Sequence, residues 1–202
     1  IGFRTGVVDS AGHATIDEPA PFASTGRVEP TLLDAAVFRT ELRDKGCGGE
    51  AADYVFDALG ALFTRSDLDE RLERLRAHLS TRGHVEDTIA TIRGVAARCY
   101  AVEFPDDTTL SERVLWPSME AERAGMEDAR FVRFVEDDGS VTYYATYTAY
   151  SGSHISQQML QTTDFRSFNS VPLVGRAAAN KGLALFPRRI NGRYAAMSRS
   201  DR

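Results

Sequence analysis

Hydrophobic positions along the chain change period twice. Residues 3–8 alternate apolar with polar, residues 9–12 (DSAG) form a turn signal, and residues 13–16 return, which together predict a hairpin. Residues 18–30 carry the prolines of an irregular connection. From Thr31 the spacing lengthens to that of helices: Leu32, Leu33, Ala36, Val37 and Leu42 form one stripe, stopped by the glycine-rich run KGCGG at 45–49. Residues 50–63 predict a second helix through Ala51, Val55, Ala58, Leu59 and Leu62. Ser66 reads as the cap of a third, in which Leu68, Leu72, Leu75 and Leu79 recur at helical spacing. Residues 86–99 predict a fourth through Ile89, Ile92, Val95 and Ala96. The charges between Asp67 and Arg76 read as a solvated face with i,i+4 pairs, and His78 as a last-turn residue favoured by the helix dipole.

Period two returns at Tyr100. Residues 100–104, 111–116, 131–134, 141–150 and 154–162 read as strands, separated by turn signals at 105–109, 137–140 and 151–153. Residues 163–168 are a polar-aromatic turn, Asn191-Gly192 is a two-residue hairpin turn, and residues 194–198 form a last strand. Trp116 reads as a core residue. The pattern is mainly β with an α-helical insert, and divides the chain into 1–30, 31–99 and 100–202. A faint repeat adds to it. Asp128 and Lys181 each precede an alternating strand, and Gly139 and Gly192 each sit in the turn that follows, at intervals of about 53 residues, the length of a propeller blade.

Composition narrows the function. With 202 residues, 43% hydrophobic and 26% charged, the chain has the make-up of a globular protein. A formal charge of −5 argues against nucleic-acid or anionic-membrane partners, which call for a basic surface. Cys47 and Cys99 stand in unrelated contexts without metal-ligand spacing, so neither a metal site nor a disulfide framework is expected. No apolar run reaches the roughly 18 residues of a membrane span, and no signal-peptide pattern is visible, which points to the cytoplasm. The chain opens at Ile1 in what reads as mid-strand. It is therefore expected to be an internal piece of a larger bacterial enzyme, lacking part of its site when taken alone.

Chemistry concentrates in residues 125–150, GMEDARFVRFVEDDGSVTYYATYTAY. Glu127 and Asp128 are expected in a turn between Gly125 and Arg130, just ahead of a hairpin. A carboxylate there is presented for proton transfer; the structural alternative is a turn aspartate bonded to its own backbone. Arg130 reads either as a substrate contact or as an ion-pair partner of the acidic turn. Alternation puts Tyr144 and Tyr150 on one side of their strand and Tyr147 on the other. Such rings suit stacking on a pyranose as well as packing between sheets. His154 has no visible carboxylate or serine partner for a catalytic triad.

Several blocks occurring in order carry a resemblance: GMEDARF at 125–131, YYATYTAY at 143–150 and NKGLALFP at 180–187. LSERV at 110–114 and NGRYA at 191–195 extend it. The string resembles glycoside hydrolase family 130, the β-mannoside phosphorylases and related β-mannosidases. The resemblance implies a five-bladed β-propeller of which about two blades are present, residues 1–30 closing one blade and 31–99 interrupting the fold. It implies an inverting phosphorolysis of β-mannosides to mannose 1-phosphate, with oligosaccharide and inorganic phosphate as substrates and no cofactor. Asp128 falls on the family's single general acid, which delivers its proton through a hydroxyl of the bound mannose. Glu127, Arg130, Tyr150 and Asn180 fall on substrate-contact positions, and Lys181 and Arg199 on phosphate contacts. A phosphorylase needs no second catalytic carboxylate, because phosphate is itself the nucleophile; cations must hold the dianion instead. One departure matters: many phosphorylases of the family have His-Arg where this chain has Ser198-Arg199. That change keeps phosphate-independent hydrolysis open, and a non-catalytic carbohydrate-binding propeller is the third reading.

Overall fold

The N-terminal alternation closes as the hairpin of β1 (Gly6–Val8) and β2 (Ala14–Ile16), with Gly6 opposite Ile16. The computed structural model describes residues 1–79, 85–178 and 181–199. The connection that follows carries two short strands, β3 (Ser24–Thr25) and β4 (Arg27–Glu29).

The helical segment differs from the expected four helices in its boundaries. Leu33 and Asp34 form β5 (Leu33–Asp34), and α1 (Ala35–Asp44) starts only after Asp34, whose side chain accepts from the Ala36 N–H at 2.8 Å. The helix α2 (Glu50–Phe56) ends early, because the chain must return to pair β6 (Leu62–Phe63) with β5. The third helix, α3 (Arg65–Leu79), is capped by Thr64 rather than Ser66. The Thr64 hydroxyl accepts from the Asp67 N–H at 3.2 Å, while the Asp67 carboxylate accepts from the Thr64 N–H at 2.9 Å, a reciprocal cap. The fourth is α4 (Val85–Ala96). The stripes of the third and fourth helices do face inward, Leu68, Leu72, Leu75, Ile89, Ile92 and Val95 joining Leu33, Leu42, Val55 and Leu59 in one buried cluster. Leu32, Ala36, Ala58 and Leu62 of the first two predicted stripes are exposed, and Phe38 and Phe56 are buried instead. His78 stacks on Tyr54, with ring centroids 5.5 Å apart. His84 lies outside the described residues.

A second core belongs to the sheet. After α4 come β7 (Tyr100–Glu103) and β8 (Arg113–Val114), the latter pairing in parallel with β3. Then four strands run consecutively: β9 (Gly125–Val135), β10 (Val141–Tyr150), β11 (Ile155–Thr162) and β12 (Ser167–Pro172). Each pairs antiparallel with the next, giving an up-and-down meander, and β7 and then β4 extend it beyond β12 in the order β4-β7-β12-β11-β10-β9. One face packs Ala145, Tyr147, Ala149, Leu160, Phe168, Tyr100 and Val102 against Phe3, Leu115 and Met119. The five residues Ala145, Thr146, Tyr147, Thr148 and Ala149 are all buried, so the middle of β10 is covered on both faces, as in a stack of sheets. Trp116 is not in this core; it is 54% exposed, because β8 ends at Val114 and the chain turns outward.

The last segment pairs β13 (Ala184–Leu185) with β14 (Ala196–Met197). Asn191 (φ 53°) and Gly192 (φ 71°) make the predicted turn, with Ile190 and Arg193 bonded across it. Arg189 and Tyr194 from this segment reach back to Glu136 at 2.9 and 2.8 Å, tying it to the tip of the β9–β10 hairpin. Tyr144 joins the same contact, packed against Phe134 and Tyr194. No described helix is long and apolar enough to cross a membrane.

Candidate active site

Glu127 and Asp128 do not lie in a turn ahead of the hairpin. They lie inside β9, which already pairs with β10 from Gly125 onward. The turn expectation came from the helix- and strand-breaking character of Gly125 and the acidic pair. The structure accommodates that character differently. Glu127 pairs with Thr148 and Arg130 with Thr146, so Asp128 and Ala129 together face the single residue Tyr147. This is a β-bulge. Its first residue, Asp128, has φ 56°, a left-handed conformation that glycine adopts freely and aspartate tolerates at a cost.

The bulge decides which side chains meet. In an unbroken strand, residues three apart point to opposite faces. The extra residue restores parity, so that Glu127 and Arg130 share the face carrying Thr146 and Thr148. Asp128 lies within 3.9 Å of the Arg130 guanidinium, with both side chains about half exposed. At that distance and exposure the pair is a loose one, worth less than about 1 kcal/mol. It leaves the carboxyl accessible.

The second half of the site arrives from β13 and β14. The Thr146 hydroxyl, next to Arg130 on the paired strand, donates to the Leu183 carbonyl and fixes the segment 181–183 over β10. Ala184 pairs with Met197, and the same register two residues out sets Gly182 across from Arg199. A Cβ on Gly182 would lie 3.7 Å from the Arg130 guanidinium and 3.9 Å from the Arg199 Cβ, so these three positions touch. Lys181 adjoins them, half-buried. Arg130 and Arg199, expected from separate sequence blocks, therefore come together at Gly182, with Asp128 beside Arg130 and Lys181 preceding Gly182 in the chain.

The other expected contacts divide. Glu127 is exposed on the same face, beside Thr148. Tyr150 flanks that end of β10, and its hydroxyl donates to the Gly152 carbonyl at 2.7 Å. Asn180 lies outside the described residues. His154 does meet a serine, Ser153, at 2.8 Å, but this is an exposed contact between sequence neighbours. A cavity of about 580 Å³ between the helical segment and β11–β12 is lined by Leu33, Phe38, Met159, Gln161 and Asn169 among others, away from the acidic pair.

Two participants escaped the sequence reading. Thr146 is an unremarkable member of an alternating strand. Glu122 sits in a short 3-10 turn (Glu120–Glu122) among other charged residues, with no periodicity to mark it, yet it is fully buried.

A family model described as beta-1,4-mannooligosaccharide phosphorylase matches residues 82–202, which include α4, the whole meander and the β13–β14 unit. No curated protein and no solved structure matches the chain. The match covers more than half of the chain and every residue gathered around Gly182, and with it the chain belongs to glycoside hydrolase family 130.

Proposed function

We propose that the protein cleaves β-mannosides by inverting phosphorolysis. An oxygen of inorganic phosphate attacks the anomeric carbon, the bond to the leaving sugar oxygen breaks, and Asp128 supplies the proton that oxygen takes, by way of a hydroxyl of the bound mannose. The products are mannose 1-phosphate and the shortened saccharide. Arg130, Lys181 and Arg199 hold the phosphate dianion beside the reacting carbon, where fixed charges stabilise the transition state. Glu127, Tyr150 and Asn180 contact the sugar. No cofactor takes part; phosphate is the co-substrate.

The observation that carries this reading is the left-handed bulge at Asp128, within 3.9 Å of Arg130. Backbone strain at a half-exposed carboxylate has no packing benefit to offset it, and such strain concentrates where chemistry requires a fixed orientation. The four-strand meander β9–β12, covered on both faces at β10, supports its being one blade of a five-bladed propeller, with β9 innermost and β13–β14 starting the next blade.

Ser198, in the place of a family histidine, favours a second reading, in which water replaces phosphate. One assay separates them: the full-length enzyme that contains this chain incubated with β-1,4-mannobiose, with and without phosphate. Phosphorolysis gives mannose 1-phosphate only in its presence; free mannose alone, at a rate indifferent to phosphate, refutes it. The acid is tested by Asp128→Asn, which should lose roughly 10²–10⁴-fold in kcat under either reading.

A further inference from the structure

Glu122 is the buried charge that the site leaves unexplained. Three neutral donors converge on its carboxylate: the Tyr100 hydroxyl at 2.9 Å and the Tyr147 hydroxyl at 2.5 Å on Oε1, and the Ser118 N–H at 2.8 Å on Oε2. The Tyr147 hydroxyl is also bonded to Ser170 at 2.8 Å. Burying a carboxylate is costly unless its lone pairs are matched, and here they are matched by groups that are themselves buried.

The identity of one partner points to the purpose. Tyr147 is the residue of β10 that faces the Asp128–Ala129 bulge. Its side chain points away from the candidate site, into the opposite face of the sheet, so it acts on the site only through its backbone. Glu122 is in turn three residues from Gly125, where β9 begins, and the intervening Ala124 N–H donates to the Tyr150 carbonyl at 2.9 Å. A short closed loop thus runs from Glu122 along the chain into β9, across the ladder to Tyr147, and back through the phenol to Glu122.

We infer that Glu122 is a positioning residue: through Tyr147 it fixes where along β10 the bulge of β9 sits, and so holds Asp128 in its left-handed conformation with Glu127 and Arg130 on one face. A bulge is free to move along a ladder unless something marks its place. Moving it past Arg130 would put Glu127 and Arg130 on opposite faces and return Asp128 to regular pairing. The phenol–carboxylate anchor under Tyr147 resists that movement. The inference rests on the reading of Asp128 as the acid for its catalytic consequence, but not for its structural one.

Tyr100 supplies the control. It donates to the same oxygen of Glu122 and is also buried, but it stands on β7, three strands from β10. In the full-length enzyme, Tyr147→Phe should lower kcat on β-1,4-mannobiose and phosphate on the order of tenfold, as expected for a displaced catalytic group, with KM little changed. Tyr100→Phe should stay within about twofold of wild type. Hydrogen exchange of the peptide spanning 125–131 should rise in Tyr147→Phe and not in Tyr100→Phe. Equal behaviour of the two variants in exchange would overturn the inference, since a merely structural network is indifferent to which phenol is lost. The pair keeps the test open even if Glu122→Gln fails to fold. If Asp128→Asn retained full turnover, the assigned acid would fall while the exchange comparison still judged the anchor.

Discussion

Replacing Asp128 by glycine and by alanine should reverse the order of stability that these residues show elsewhere in strands. At a regular strand position glycine is less stable than alanine by about 0.5–1 kcal/mol, because it loses more freedom on folding. Asp128 has φ 56°. There, a residue with a Cβ bears a left-handed penalty of roughly 1–2 kcal/mol that glycine escapes. The two effects oppose each other, and the larger one wins: Asp128→Gly should be more stable than Asp128→Ala by about 0.5–1 kcal/mol. Losing the loose Arg130 pair costs both variants alike, at most about 1 kcal/mol. For a chain of this length the gap corresponds to roughly 1–4 °C in melting temperature. Urea denaturation of the two variants and wild type measures it directly, while the mannobiose assay runs on the same samples and should find both variants inactive. An alanine variant as stable as the glycine variant, or more so, would show that the bulge relaxes at no cost and that the backbone at Asp128 stores no strain.

Three further outcomes follow from the same geometry. Thr146→Val removes the donor to the Leu183 carbonyl at nearly constant shape; leaving that carbonyl unpaired should cost about 1–3 kcal/mol in denaturation and weaken phosphate affinity more than saccharide affinity. Gly182→Ala, at φ 82° and against Arg130 and Arg199, should lose roughly 1–2 kcal/mol of stability and raise the KM for phosphate, read by initial rates at varied phosphate. The Tyr194 hydroxyl, and Arg189 after it, hold the Glu136 carboxyl below the ordinary carboxylate range. Its folded form therefore binds a proton less readily than the unfolded chain. The stabilisation is complete above the unfolded value of about pH 4.3 and is lost as pH falls through the lower folded value. Glu136→Gln should flatten the dependence of unfolding free energy on pH between about 5 and 3, and an unchanged slope would remove Glu136 as its source.

Local pattern sufficed for much of the fold and less of the site. The leucine stripe of α3, the stop after α1, the long strands β10 and β11 and the Asn191-Gly192 turn depend on period and turn chemistry, which neighbours in sequence determine. The shortened α2 and the pairing of β5 with β6 depend on contacts between distant residues, and helical spacing at Leu62 could not reveal that it would become a strand. For the site, motif blocks named Asp128, Arg130 and Arg199, but not the means by which they come together. That means is a register fact: a β9 residue with no partner of its own, and a β13–β14 pairing that sets Gly182 opposite Arg199. Glu122 was illegible for a related reason. A buried carboxylate is recognised by the donors that reach it, and the two hydroxyls here come from Tyr100 and Tyr147, distant in sequence on either side.

Placing the proposed proton donor in a strand rather than a turn has a mechanical consequence. A turn aspartate is held by one or two local hydrogen bonds and swings with its loop. At Asp128 the ladder resumes immediately on both sides, through Glu127 with Thr148 and Arg130 with Thr146, so the backbone on either side is clamped and only the side chain turns. A clamped strand would ordinarily send residues three apart to opposite faces, which would separate Glu127 from Arg130. The bulge removes that obstacle at the cost of one left-handed residue and one unpaired position, both confined to Asp128–Ala129. Clamped pairing and a shared face for Glu127 and Arg130 are therefore compatible here only through the bulge. Any variant that restores regular pairing across 127–130 should fold at least as stably as wild type in thermal melts, and lose turnover. A regularised β9 that kept full activity would show that orientation at Asp128 is not what the strain maintains.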